Sequence, residues 1–208
     1  NETYIKKVKN IIKKKTKFFS NKTNLKHILK GKVDYIMCAI SGLAGLKLTL
    51  DSIKFSKKIG IANKESIICG WSLINKELKK HKTQFIPIDS EHFSIWELTQ
   101  KHKNHEIDQI ILTASGGPFL NKKISDLKKV KSKDAIKHPN WKMGKKISVN
   151  SATLMNKFFE ILEAYRMFDF DLNKYNILIH PQSYVHAIVK FKNGLTKILL
   201  HDTDMKIP

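Results

Sequence analysis

Two acidic residues flank a serine in the segment Asp89-Ser90-Glu91, which directly follows the apolar run 85–88. Residues two positions apart in an extended segment point to the same side, so both carboxylates can reach one point. Mg²⁺ and Mn²⁺ prefer such oxygen ligands. A helix start is the alternative, in which Asp or Ser caps the helix and Glu complements its dipole. The three residues alone leave both interpretations open.

A second polar set lies in the segment 151–168, whose apolar spacing predicts one amphipathic helix. On this helix Asn156 and Glu160 share a face, as do Lys157 and Glu160. Ser151 is expected at the helix start, where backbone N–H groups attract phosphate. Apolar neighbours surround the set, so burial would oblige its members to find partners. A solvent-exposed Lys–Glu pair is the alternative.

Two loops carry further candidates. Ser115 follows a predicted strand and precedes two glycines, an arrangement that suits either an anion-holding loop or a plain tight turn. His138 and Trp141 lie in a segment with nearby Pro and Gly, which is expected to form a lid. A lone His is more often structural than catalytic.

Strand-like and helix-like segments alternate along the chain and predict an α/β fold with a largely parallel sheet. Asp89 and Glu91 then follow the carboxyl end of a strand, where open α/β sheets bind ligands. The turn residues Asn193-Gly194 predict a hairpin. The predicted strands are 33–40, 59–62, 84–89 and 109–115, and the predicted helices lie within 2–30, 41–56, 65–81, 91–100 and 151–168.

The 208-residue chain carries a net charge of +21, which can indicate nucleic acid, an anionic membrane or an anionic substrate. The basic residues are lysines apart from Arg166, whereas bidentate recognition of guanine and phosphate favours Arg. A compositional Lys bias and a polyanion-binding surface both remain open. Cys38 and Cys69 have no metal-ligand spacing, which favours a reduced, cytosolic setting.

Six motifs, taken in order and spacing, resemble the 1-deoxy-D-xylulose 5-phosphate reductoisomerase family. They are ANKES (62–66), PIDSEH (87–92), SGGPF (115–119), KHPNWKMGKKISV (137–149), SATLMNK (151–157) and HPQS (180–183). The resemblance implies an NADPH- and divalent-metal-dependent rearrangement and reduction of 1-deoxy-D-xylulose 5-phosphate to 2-C-methyl-D-erythritol 4-phosphate, in isoprenoid biosynthesis.

The resemblance also assigns roles to individual residues. The ligands of Mg²⁺ or Mn²⁺ would be Asp89, Glu91 and Glu160. The residues with catalytic roles would be Lys64, Glu91, His138, Lys157 and Glu160. The residues that bind the substrate would be Lys64, Ser90, Glu91, Ser115, His138, Ser151, Asn156, Lys157 and Glu160. The residues that meet NADPH would be Asn63, Glu65 and Gly144.

The resemblance implies that residues 1–88 are the second half of a Rossmann-like NADPH-binding domain. Residues 89–208 would be an α/β catalytic domain with a mostly parallel sheet. The family's Gly-rich first turn and C-terminal helical domain are not found, so the chain is expected to be a truncated, central piece that is inactive alone. The complete enzyme is expected to be a cytoplasmic homodimer without a membrane or specific nucleic-acid partner.

The sequence departs from the family at Phe158-Phe159, where Gly-Leu is expected, and at Asn150, where Asp is usual. A bulky ring in place of Gly could disturb the packing of Lys157 and Glu160. Two alternatives to the enzyme are a Lys-rich nucleic-acid-binding module and a folded fragment without activity.

Overall fold

The computed structural model describes residues 24–137, 144–204 and 206, and contains two β-sheets flanked by helices. The strands are β1 (Val33–Cys38), β2 (Ser56–Ile61), β3 (Gln84–Pro87), β4 (Ile107–Ala114), β5 (Tyr175–Ile179), β6 (Val185–Phe191) and β7 (Thr196–Leu200). The α-helices are α1 (Ala44–Ile53), α2 (Lys64–His81), α3 (Ser90–Thr99), α4 (Ile124–Leu127), α5 (Ser132–Ala135), α6 (Lys145–Ala152) and α7 (Met155–Phe168). Short 3₁₀ turns lie at Leu25–His27, Asn104–Glu106, Gly117–Phe119 and Leu172–Lys174.

The first sheet is parallel, with the order β1-β2-β3. Helices α1 and α2 connect its strands, as parallel neighbours require. Its core consists of buried side chains from β2 and these two helices, namely Ile53, Ile59, Ile61, Ile67, Ile74 and Leu78. The predicted alternation of strands and helices is confirmed here. Strand β1 is less buried than its apolar run suggests, because it forms an edge of the described sheet.

The second sheet is mixed, with the order β5-β4-β6-β7. Strands β4 and β5 pair in parallel, whereas β4–β6 and β6–β7 pair antiparallel. The predicted hairpin at Asn193-Gly194 joins β6 to β7, and Gly194 has the positive φ of 88° that this tight turn needs. The α/β class is therefore confirmed, although this sheet is mixed rather than mostly parallel because the chain reverses direction twice, between β5 and β6 and again at the β6–β7 hairpin.

The segment predicted as one helix from residue 151 contains a break. Helix α6 ends at Ala152 and α7 begins at Met155, and Leu154 between them has a left-handed φ of 58°. Ser151 consequently lies in the last turn of α6, so its predicted place at a helix start is wrong. Asn150 lies within α6 and is not a helix cap. Apolar periodicity could not reveal the break, because both helices keep the helical spacing.

Helix α7 connects the two cores. Ala164 is fully buried in the core of the second sheet, and Met167 packs against the core of the first. The same helix contacts α2 and α3. Polar side chains on α7 therefore lie between the first residues of α2 and the segment that follows β3, which is where the candidate site forms. Among the described helices, none has the length and apolar character needed to cross a bilayer.

Candidate active site

Asp89 follows β3 and occupies the position before the first turn of α3, but its side chain makes no capping hydrogen bond. Its Oδ2 instead lies 2.5 Å from the Nζ of Lys64, at the start of α2. Glu91 lies in the first turn of α3 and accepts a hydrogen bond of 2.6 Å from the hydroxyl of Ser90. The segment therefore does begin a helix with Glu91 in its first turn, as the alternative predicted, but the side chain of Asp89 pairs with Lys64 and does not cap the helix.

Helix α7 supplies the other half of the cluster. The Nζ of Lys157 lies 2.5 Å from an oxygen of Glu91 and 2.5 Å from an oxygen of Glu160. The Nδ2 of Asn156 donates a hydrogen bond to Glu160. Lys157 and Glu160 are 5% and 2% exposed, so the alternative of a solvent-exposed Lys–Glu pair is excluded.

Lys64 connects the two halves. Besides Asp89, its Nζ lies 3.2 Å from an oxygen of Glu163 and 3.8 Å from an oxygen of Glu160. Burial alone would lower the pKa of Lys64, but the negative charges of Asp89, Glu163 and Glu160 outweigh it and raise the pKa well above its usual value. Lys64 is therefore a cation at neutral pH.

The carboxyl groups respond to burial in different ways. Burial is the largest influence on Asp89, but Lys64 and His92 overcome it and hold the pKa of Asp89 far below its usual range. Burial, reinforced by the charge of Glu91, raises the pKa of Glu160 to about 8. The pKa of Glu163 is raised by burial too.

The cluster contains more negative than positive groups. Its carboxyl groups are Asp89, Glu91, Glu160 and Glu163, and its ammonium groups are Lys64 and Lys157. Four carboxylates against two ammonium groups would leave two uncompensated negative charges. Buried charge without a counter-charge is unfavourable, so the site either holds protons, as the raised pKa of Glu160 indicates, or accepts one divalent cation.

Three carboxylates are placed to hold that cation. One oxygen each from Asp89, Glu91 and Glu160 lie within 4.8 Å of one another. The Oδ1 of Asp89 and the Oδ1 of Asn156 are buried without a hydrogen-bond partner among the described residues. Oxygen ligands that converge in this way suit Mg²⁺ or Mn²⁺. The donor set therefore fits a hard divalent cation.

The loop that follows β4 contacts the end of α6. The hydroxyl of Ser115 accepts a hydrogen bond of 3.2 Å from the backbone N–H of Gly117. Gly117 has a φ of 65°, and an added Cβ would lie 3.1 Å from the backbone oxygen of Ser151. The glycine therefore lets the Ser115 loop contact the end of α6. His138 and Trp141, predicted on a lid, lie outside the described residues.

The predicted cofactor residues lie at the start of α2 and the start of α6. Asn63 caps α2 by accepting a 2.8 Å hydrogen bond from the N–H of Ser66, and its Nδ2 donates to the carbonyls of Ile40 and Gly42. It is 3% exposed, so it shapes the turn after β1. Gly144 precedes α6 and is exposed.

Glu65 joins these two helix starts. Its carboxylate lies 2.5 Å from the Nζ of Lys146 on α6. Lys146 lies two residues after Gly144, so this ion pair brings the start of α6 close to the start of α2.

Two residues of the site were not predicted to have a role. Glu163 is 1% exposed, and it lies seven residues after Asn156 and three after Glu160 on one helical face, a pattern that could have revealed it. His92 is 1% exposed, and its Nε2 donates a 2.8 Å hydrogen bond to the backbone carbonyl of Glu160. Its Nδ1 lies 3.7 Å from Asp89, so His92 ties α3 to α7 beside the candidate metal ligands.

Phe158, the departure beside Lys157, points away from the cluster and is 50% exposed. The ring therefore lies on the solvent side of α7 and leaves the packing of Lys157 and Glu160 intact.

Family models match most of the chain. The model described as 1-deoxy-D-xylulose 5-phosphate reductoisomerase matches residues 1–70, and the model of the C-terminal domain of the same enzyme matches residues 85–168. Among curated proteins, the 1-deoxy-D-xylulose 5-phosphate reductoisomerase of Pelagibacter ubique is 59% identical over 196 residues, which are 93% of this chain and 50% of the relative. That of Wolbachia pipientis wMel is 48% identical over 177 residues, 85% of this chain and 46% of the relative.

Solved structures agree with this match. A crystal structure of DOX-P reductoisomerase in complex with NADPH, fosmidomycin and magnesium superposes with a TM-score of 0.85 at 36% identity, and covers 99% of this chain and 53% of that one. The Zymomonas mobilis enzyme in complex with NADPH gives a TM-score of 0.74 at 38% identity, and covers 83% and 44%. The chain thus spans about half the length of the relatives that it matches.

Proposed function

The chain belongs to the 1-deoxy-D-xylulose 5-phosphate reductoisomerase family, and from this membership we propose that it carries the metal and substrate site of such an enzyme. The reaction would be the NADPH-dependent rearrangement and reduction of 1-deoxy-D-xylulose 5-phosphate to 2-C-methyl-D-erythritol 4-phosphate. The observation that carries the proposal is the convergence of Asp89, Glu91 and Glu160 beside two buried lysines.

Asp89, Glu91 and Glu160 would hold Mg²⁺ or Mn²⁺. When bound, the cation supplies Lewis-acid polarisation of substrate oxygens, and NADPH supplies a hydride. Lys64 and Lys157 are positively charged and flank the carboxylates, so each can donate hydrogen bonds to an oxygen on which negative charge develops. We propose that Lys64 meets the reacting end of the substrate and Lys157 one of its hydroxyls.

The phosphate of the substrate would bind between the Ser115 loop and the end of α6. The approach of Gly117, in the Ser115 loop, to the backbone of Ser151 supports this location. Asn156 is close enough to orient oxygens near the metal ligands, and Ser90 is held beside Glu91. His138 would close over the phosphate from the segment that precedes α6.

NADPH would bind along the carboxyl edge of the first sheet, near Glu65 and Gly144. The Glu65–Lys146 ion pair supports this, because it brings the segment after the predicted lid to the start of α2. Asn63 would act by shaping the turn that it holds. The two separate sheets likewise support assigning residues 1–88 to cofactor binding and 89–208 to catalysis.

We propose that the complete enzyme is a homodimer that uses the outer face of the second sheet. Ile111, Ile188 and Ile198 lie opposite one another across three strands of that face, and Leu178 on β5 pairs with Thr113, two residues from Ile111 on the same face. Ile198 and Leu178 are each 49% exposed, so this face presents an exposed apolar surface of the kind that forms protein interfaces. A cytoplasmic location, without a specific nucleic-acid or membrane partner, is proposed as well. The unpaired Cys38 and Cys69 are in keeping with that compartment.

The test is NADPH consumption by a chimera in which residues 24–204 replace the matching segment of the Pelagibacter ubique relative. Consumption should require both 1-deoxy-D-xylulose 5-phosphate and Mg²⁺ or Mn²⁺. It should fall at least about 100-fold in Glu160→Gln, which keeps the shape of the side chain but removes a ligand charge. The matched control is Glu97→Gln, on the exposed side of α3. A chimera without activity, or a fully active Glu160→Gln variant, would refute the proposed function.

The 208-residue chain alone is expected to show no turnover. Metal-dependent NADPH consumption by that chain would show this expectation to be wrong.

A further inference from the structure

Glu163 is a buried carboxylate to which the proposed reaction gives no role. Its side chain is 1% exposed, one helical turn beyond Glu160 on α7. A buried carboxylate destabilises a fold unless it is paired. Its ion-pair partner among the described residues is Lys64, at 3.2 Å. We therefore look for the role of Glu163 in its interaction with Lys64.

The ammonium group of Lys64 lies near three carboxylates, two of which are proposed metal ligands and one of which is not. Asp89, at 2.5 Å, and Glu160, at 3.8 Å, are both proposed metal ligands. With a divalent cation bound, their negative charge faces that cation, and the cation repels the ammonium group of Lys64. Glu163 is the member of this trio that is not among the proposed ligands. In the metal-loaded site, Glu163 would be left to hold Lys64 in place.

We propose that Glu163 is a positioning residue that keeps the ammonium group of Lys64 beside the metal ligands when the cation is bound. This inference rests on the proposed function for the role of Lys64 toward the substrate, but the placement of Lys64 can be tested without turnover. Glu163 acts through Lys64 and does not touch the substrate.

The competing interpretation is that Glu163 is itself a metal ligand. Ligand atoms of Asp89, His92 and Glu163 do lie within 4.8 Å of one another. However, the Nζ of Lys64 contacts both Asp89 and Glu163 and so competes for their oxygens. The Nε2 of His92 is already committed to the backbone carbonyl of Glu160. The geometry therefore favours the ammonium group over a cation at this position.

The first experiment measures Lys64 in the 208-residue chain. Buried, paired ammonium groups exchange their protons slowly enough to give ¹H–¹⁵N signals, and a Lys64→Arg variant identifies the signal of Lys64. With saturating Mg²⁺ the signal should be present in the unmodified chain, lost in Glu163→Gln, and restored in Glu163→Asp, which keeps the charge. Persistence of the signal in Glu163→Gln would overturn the proposal.

Mn²⁺ affinity separates positioning from ligation in the same chain. Glu163→Gln should change the dissociation constant by less than about threefold, whereas Glu160→Gln should raise it at least about tenfold. An equal loss in the two variants would mean that Glu163 is a ligand, and the proposal would be wrong.

Turnover in the chimera supplies the final discrimination. Glu163→Gln should lower kcat about 10- to 100-fold, the usual cost of losing a supporting partner. In a chimera that already carries Lys64→Met, Glu163→Gln should lower kcat by less than a further factor of about two, because Glu163 is proposed to act through Lys64. If Glu163→Gln lowers kcat about 10- to 100-fold in that background too, Glu163 has a merely structural role and the proposal is wrong. If the unmodified chimera is inactive, the proposed function fails, while the ammonium signal still decides the role of Glu163.

Discussion

At the residue scale, the site is a set of mutually dependent charges. Lys157 and Glu160 can be buried because each has a close counter-ion, and Lys64 can be buried because three carboxylates surround it. The sequence predicted Asp89, Glu91, Lys157 and Glu160 as candidates from their spacing, and the family resemblance added Lys64. It did not reveal Glu163 or the tie from His92 to α7, because those depend on which helices meet.

The metal-free site should make stability fall as the pH rises above neutrality. Glu160 titrates near 4.5 when unfolded and, because of burial, near pH 8 when folded. Between these values the folded state binds more protons, so the free energy of unfolding decreases with pH and levels off above the folded pKa. Melting temperatures in EDTA should therefore drop from pH 7 to pH 9.

Glu160→Gln is the control for that titration. Its melting temperature should change less between pH 7 and pH 9 than that of the unmodified chain. Saturating Mg²⁺ should also restore stability at pH 9 to the unmodified chain, since a ligand that binds only the folded state stabilises it. A melting temperature that rises with pH only in the unmodified chain would contradict the buried, proton-holding carboxyl.

At the element scale, the strands and most helices could be predicted because apolar runs and turn residues mark them. Val33–Cys38 and the hairpin at Asn193-Gly194 are examples. The break between α6 and α7 could not be predicted, since Leu154 carries no signal for a left-handed conformation. Ser151 was misplaced for that reason, and the mixed order of the second sheet depends on long-range pairing that local patterns do not encode.

The helix break can be tested with two glycine substitutions. Leu154 has a φ of 58°, which is strained for a branched side chain, and it is 43% exposed. Leu154→Gly should raise the free energy of unfolding by up to about 1 kcal/mol. Met155→Gly, equally exposed but helical, should lower it by about 1 kcal/mol. Urea denaturation measures both, and equal destabilisation would mean that one helix runs through residue 154.

At the scale of the whole molecule, α7 is the element that makes one site out of two sheets. One turn of it faces α2 and another faces the core of the second sheet. A nucleic-acid-binding module would account for the excess of lysine, but it would leave the convergence of Asp89, Glu91 and Glu160 unexplained. Membership of the reductoisomerase family also favours the proposed enzymatic function over a nucleic-acid-binding module.

The proposed dimer can be tested on the outer face of the second sheet. Ile198→Glu places a charge at the β7 end of the apolar row and should convert a dimer into a monomer in sedimentation velocity measurements. Ile124→Glu is the matched control, because Ile124 is 85% exposed on α4 and lies outside that row. A dimer that survives Ile198→Glu, or dissociates equally in both variants, would place the interface elsewhere.

We propose above all that Asp89, Glu91 and Glu160 of this chain form one divalent-cation site. The most direct measurement is a Mn²⁺ titration of the 208-residue chain, followed by electron paramagnetic resonance, alongside Asp89→Asn, Glu91→Gln and Glu160→Gln. We expect one Mn²⁺ ion per chain and at least about a tenfold weaker affinity in each variant. Absence of binding by the unmodified chain, or binding that all three variants retain, would contradict the proposed three-carboxylate site.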